Sequence, residues 1–102
     1  MNDLPVTLAA VRDAATAIAG AIAHSPVVAS PALSELAGTE IHLKLETLHR
    51  TGSFKERGAL AKLLTLGASQ RCAGVVAMSA GNHAQGVAHH ARRLGIPSLR
   101  AW

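Results

Sequence analysis

The chain has 102 residues, 49% hydrophobic and 2% aromatic, with ten Lys and Arg against six Asp and Glu and a net charge of +4. That length allows one small domain with an aliphatic core. Two aromatics, Phe54 and Trp102, exclude the stacking platforms that grip single-stranded nucleic acid, and the cations are scattered as on a solvated face, with Arg92-Arg93 the only adjacent pair.

A single cysteine, Cys72, rules out an internal disulfide and fits a reducing compartment, with packing or no role at all as the expectation. The alanine-rich run at 14–23 imitates a signal-peptide core. Arg12 is the only basic side chain ahead of it, and it is too short to span a bilayer. The expectation is a cytoplasmic protein with neither membrane nor nucleic-acid partners.

In chain order, Leu8, Val11, Ala15, Ile18 and Ile22 recur every three or four residues, the stripe of an amphipathic helix. Thr7 is its expected cap. Gly20 within the stripe costs about 1 kcal/mol relative to alanine, and Ser25-Pro26 ends the helix because the residue before proline avoids helical geometry. Residues 27–38 read as an extended piece and a short helical turn from Pro31. Residues 41–46 alternate, with Ile41, Leu43 and Leu45 on one face, which predicts a strand. Ser53 and Glu56 have the spacing of a capping box, predicting a helix from Phe54. Leu60, Leu63 and Leu64 form its buried stripe, and Gly67 its stop.

The run Val75 to Met78 is wholly apolar, suited to a strand covered on both faces. A third helix follows the turn at 79–82, with Ala84, Val87, Ala88, Ala91 and Leu94 facing inward and Gly95 with Pro97 ending it. Strands alternating with helices imply an α/β fold with a parallel sheet. After Pro97 only a short, mixed strand is predicted. So short a sheet leaves edges and one face uncovered, and the expectation is an incomplete part of a larger fold.

Two turns carry the chemistry. If Ser53 caps its helix, Lys55 lies in the first turn, beside unpaired backbone N–H groups and the positive end of the helix dipole. A cation is disfavoured there, which suits an amine used as a nucleophile or in a Schiff base. Spacing alone leaves an ordinary solvated lysine the better reading. The second turn, residues 79–83, follows an apolar strand and opens a helix, where α/β folds place their ligands. Its N–H groups can receive a carboxylate or phosphate, Gly81 permits close approach, and Asn82 can both donate and accept. The alternative is an ordinary turn with Asn82 as a cap.

L-K-L-E-T-L-H-R-T-G-S-F-K-E-R-G-A (residues 43–59) and S-A-G-N-H-A-Q-G-V-A (residues 79–88) resemble the N-terminal motifs of threonine dehydratases. These are fold type II pyridoxal-phosphate enzymes of the tryptophan-synthase-β family. The resemblance extends over nearly the whole chain to about Pro97, so residues 1–102 are identified as the N-terminal portion of such a domain, with 98–102 an atypical tail that suggests truncation or a frameshift. It implies that Lys55 forms the Schiff base with pyridoxal 5'-phosphate and then acts as base at the substrate's α-carbon. Phe54 would lie along the cofactor ring, and Asn82 would hydrogen-bond its phenolic oxygen. Ser79, Gly81, Asn82 and His83 would hold the substrate's α-carboxylate. The implied reaction is dehydration and deamination of L-threonine or L-serine to a 2-oxo acid and ammonia by a carbon–nitrogen lyase. Members are usually homo-oligomers.

Departures from the family pattern are informative. Racemases place a second serine, the base for the opposite face, where this chain has Ala80. The cysteine-synthase branch usually has a proline-bearing lysine motif and a threonine where His83 stands. Thr47 and His49 replace the more usual asparagine and glutamine, which reads as drift. The family's phosphate-binding loop is rich in glycine, whereas none of the nine glycines here is adjacent to another. No metal site is expected, since His83 and His90 lie two turns apart. Besides part of a longer dehydratase, two readings stay open: an inactive truncated remnant, and a small basic binding module that kept the fold.

Overall fold

The computed structural model describes residues 5–101, leaving Trp102 outside. Helix α1 (Leu8–Ile18) starts as expected, with Thr7 Oγ1 accepting from the Ala10 N–H at 3.1 Å. It ends four residues before Ile22, because the chain turns at Gly20 with φ +79°. The anticipated buried stripe is confined to Ile18 and Ile22; Leu8 and Val11 are 64% and 52% exposed. Nothing among the described residues packs on that half of the helix.

Strand β1 (Val27–Ala29), helix α2 (Pro31–Ala37) and strand β2 (His42–Lys44) form a small unit. The Ser34 hydroxyl donates to the Ser30 carbonyl at 2.7 Å and accepts from the Ile41 N–H at 2.9 Å, turning the chain back on itself. β2 therefore pairs antiparallel with β1, Val28 opposite Leu43. This corrects the expectation that the first strand joins a parallel sheet. A 3-10 turn (Glu46–Leu48) leads into the lysine loop.

Helix α3 (Lys55–Leu64) buries Ala59, Leu60 and Leu63 as its apolar spacing requires. Gly67 does not simply stop it, since that glycine opens an unforeseen short helix, α4 (Ala68–Ala73), donating its N–H to Gln70 Oε1 at 2.9 Å. Cys72 lies on α4 and is exposed, so it does not pack in the core. Strand β3 (Val75–Met78), helix α5 (Asn82–Arg93) and strand β4 (Ser98–Ala101) make a β-α-β unit with β3 and β4 parallel, Val76 opposite Leu99. Here the α/β class with parallel strands flanked by helix holds. β3 is covered on one face only: Ala77 is buried, while Val76 and Met78 are 67% and 82% exposed.

The core is three small aliphatic clusters, all involving α3 or α5: Ala59–Ala77–Ala84–Val87, Ile18–Ile22–Leu60 and Leu63–Ala91–Ile96. Among the described residues the α3–α5 packing is the most extensive. The radius of gyration is 16.5 Å, against about 13 Å for a compact domain of 100 residues. Open packing and bare apolar surface go together here. Among the described residues no helix is long and apolar enough to cross a membrane.

Candidate active site

Lys55 is the first residue of α3 and Asn82 the first of α5. The two helix starts are tied together at Gly86, one turn into α5. A Cβ built on Gly86 would lie 3.1 Å from the Lys55 carbonyl carbon and 3.2 Å from the Glu56 nitrogen. A side chain at this position would crowd the lysine's own peptide, and glycine lets the backbone of α5 rest on it without that crowding. Sequence reasoning passed over Gly86. Its signal was a helical glycine with no turn to make.

Local structure at the lysine differs from the expected capping box. Phe54, in helical geometry, precedes α3 and supplies no side-chain cap. Ser53 Oγ accepts instead from the Lys55 N–H at 3.3 Å, two residues on. The Glu56 carboxylate does not return to the Ser53 N–H, because Thr51 occupies it: the Thr51 N–H and hydroxyl donate to Glu56 Oε2 at 3.0 and 2.7 Å. The helix consequently begins one residue later than the spacing predicts. Lys55 and Phe54 are exposed, with the Nζ 5.4 Å from the Phe54 ring centroid.

Beneath the loop lies a polar network that sequence reasoning did not foresee. Arg57 donates to both Glu46 oxygens, Nε at 2.6 Å and an η-nitrogen at 3.0 Å. The Ser25 hydroxyl donates to the same carboxylate. His49, far from drift, is buried with its side chain 1% exposed, its Nε2 2.9 Å from Glu46 Oε2 and its Nδ1 3.6 Å from Glu56 Oε1. Arg57's bonds hold the Glu46 carboxyl well below the usual carboxylate range, against the opposing effect of burial, and the same pairing raises Arg57. Burial works against ionisation of Glu56, but the Thr51 bonds together with the nearby His49 and His90 outweigh it and the carboxyl stays below its ordinary value. The S-x-x-E pattern was visible in the sequence; the partners of its glutamate were not.

The second turn is open. Gly81, not Asn82, is the N-cap of α5 and provides no side-chain cap. The first N–H groups of the helix have no partner within it, and Ala80, Gly81, Asn82 and His83 are all exposed. Ser79 is partly buried, its Oγ accepting from the Gly81 N–H at 3.2 Å. The structure thus brings Ser79, Gly81, Asn82 and His83 to one helix start and Lys55 with Phe54 to the other. One open helix N-terminus suits an anion; the other presents a primary amine.

These features belong to a known class. The chain is a member of the pyridoxal-phosphate dependent enzyme family, whose model matches residues 18–99. It is 46% identical over 93 residues to the L-threonine ammonia-lyase of Thermotoga maritima, covering 91% of this chain and 23% of that protein. It is 47% identical over 94 residues to the catabolic L-threonine dehydratase of Escherichia coli, covering 92% and 29%. Among solved structures, maize serine racemase superposes with a TM-score of 0.86 at 33% identity, over 95% of this chain and 30% of that one. The chain therefore spans under a third of the length of these relatives.

The residues present fit the aldehyde end of the family's cofactor. Among the described residues Lys55 has no carboxylate partner, so its amine is available. The amine is exposed, within reach of an incoming carbonyl group.

Proposed function

We propose that this chain contributes the lysine-bearing part of a site that converts L-threonine, or L-serine, to a 2-oxo acid and ammonia. The single observation that carries the reading is the contact of Gly86 with the Lys55–Glu56 peptide. It holds the amine-bearing helix start and the anion-ready helix start in fixed relation, as a reaction on an amino acid's α-carbon demands. The names of the dehydratase relatives support the same choice.

In this reading the Lys55 amine holds the cofactor and then takes the proton from the substrate's α-carbon. Ser79, the Gly81 backbone, Asn82 and His83 bind the α-carboxylate, with the helix dipole favouring negative charge there. Phe54 and the Asn82 amide would help to hold the cofactor beside Lys55. The cofactor, when bound, supplies the electron sink. Water leaves with the β-hydroxyl and is taken up again as ammonia departs, so the net products are the 2-oxo acid and ammonia.

A racemase is the second reading, favoured by the likeness to maize serine racemase. Ala80 speaks against it, because a methyl group has no proton to deliver to the opposite face of the substrate. The test of the main reading is direct. The purified chain titrated with pyridoxal phosphate should develop the absorbance band of lysine-bound cofactor, and Lys55→Ala should lose it. A band that persists in the variant refutes the lysine assignment. Release of 2-oxobutanoate from threonine by this chain alone would overturn the view that it supplies only part of the site.

A further inference from the structure

We infer that His49 is a positioning residue for Lys55, an inference that rests on the reading of Lys55 given above. The lysine sits at the end of a loop without strand or helix ladder, between the 3-10 turn at Glu46–Leu48 and α3. Something must hold that loop, because each residue fixed in one backbone conformation costs about 1–2 kcal/mol of entropy. Its own main chain contributes two bonds, the His49 N–H to the Glu46 carbonyl at 3.2 Å and the Gly52 N–H to the His49 carbonyl at 2.9 Å.

The imidazole contributes more. It lies between the carboxylate that precedes the loop and the carboxylate that follows the lysine, with Nε2 2.9 Å from Glu46 and Nδ1 3.6 Å from Glu56. Glu46 is in turn fixed by Arg57 from α3, and Glu56 grips Thr51 by its N–H and hydroxyl. One buried ring thus ties the start of the loop to Glu46, which Arg57 anchors to α3, and packs against the Glu56 carboxylate. Glutamine carries both donors on a single nitrogen. It can keep the bond to Glu46. Histidine alone adds the ring's 3.6 Å approach to Glu56.

Amide hydrogen exchange of the full chain, with pyridoxal-phosphate titration alongside, tests the assignment. In His49→Leu, exchange at Thr51, Gly52 and Lys55 should quicken about tenfold or more, the effect of losing a hydrogen bond to a charged group. Protection inside α5 should stay unchanged, showing that the variant is folded. The half-saturating concentration of pyridoxal phosphate should rise by a similar factor, and His49→Gln should fall between the two in both measurements. Unchanged exchange in the loop, an equal rise throughout α5, or a His49→Gln no better than His49→Leu would each overturn the inference. Absence of any cofactor band in the unsubstituted chain would instead refute the reading of Lys55, with the loop exchange still deciding whether His49 clasps it.

Discussion

Gly58 and Gly86 are both helical glycines, one on α3 and one on α5, yet alanine should affect them in opposite directions. In a helix interior the Gly→Ala change is worth up to about 1 kcal/mol of stabilisation at either site. A Cβ at Gly58 meets nothing within 4 Å, so Gly58→Ala should stabilise the chain by about 0.5–1 kcal/mol. At Gly86 the same atom meets the Lys55 carbonyl carbon at 3.1 Å and the Glu56 nitrogen and Lys55 oxygen at 3.2 Å. These are backbone atoms and cannot rotate away, and overpacking of this kind costs about 1–3 kcal/mol. The propensity gain cancels between the two variants, so their difference isolates the steric term. Thermal unfolding followed by circular dichroism should place Gly86→Ala below Gly58→Ala by about 4 °C or more, since 1 kcal/mol shifts Tm by roughly 4–8 °C in a chain of this size. Gly86→Ala should also weaken cofactor uptake by Lys55, which Gly58→Ala should leave intact. Equal Tm values for the two variants would refute the close approach on which the site is built.

Acid should weaken the fold in two stages. Burial, with His89 beside it, lowers His90 from its ordinary 6.5, and Glu46 and Glu56 are lowered from 4.5. In each case the unfolded chain binds protons that the folded chain does not, so stability is full above the ordinary value and falls with pH below it. Urea midpoints measured from pH 8 to pH 3 should decline first below about 6.5 and more steeply below about 4.5; a flat profile would contradict both assignments. His90 is wholly buried, and neither ring nitrogen has a hydrogen-bond partner among the described residues. His90→Leu should therefore raise stability by about 1–2 kcal/mol and abolish the first stage, because an unpaired buried polar group costs about that much. Thr51→Val keeps the backbone donor to Glu56 but loses the 2.7 Å hydroxyl bond. A loss of about 1.5 kcal/mol by chemical denaturation is expected, a hydrogen bond to a charged group being worth about 1.5–3 kcal/mol.

The candidate site was legible where its signals are local. Lys55 at a helix start and the glycine-asparagine turn after an apolar strand are both encoded within a few consecutive residues, and the structure puts both at helix starts, α3 one residue later than the spacing predicts. The support beneath them was not. His49 reads as a neutral replacement until its ring is seen between two glutamates seven and three residues away on opposite sides of the loop. Glu56 reads as a capping residue until Thr51 is seen to claim it.

By itself, the sequence determined the position of most elements, the lysine-bearing turn and the parallel pairing implied around α5. Apolar period, cap chemistry and turn residues act over one or two helical turns, so they are written in short stretches of chain. Tertiary structure alone decided that β2 pairs antiparallel with β1, that the first half of α1 and one face of β3 stay bare, and that Gly86 rests on the lysine's peptide. These depend on which surfaces meet across distant positions. An apolar stripe records the wish for a partner, but only packing shows whether one arrives. The lysine loop stands at that boundary: its residues announce an amine, and the helix thirty residues further on holds it in place.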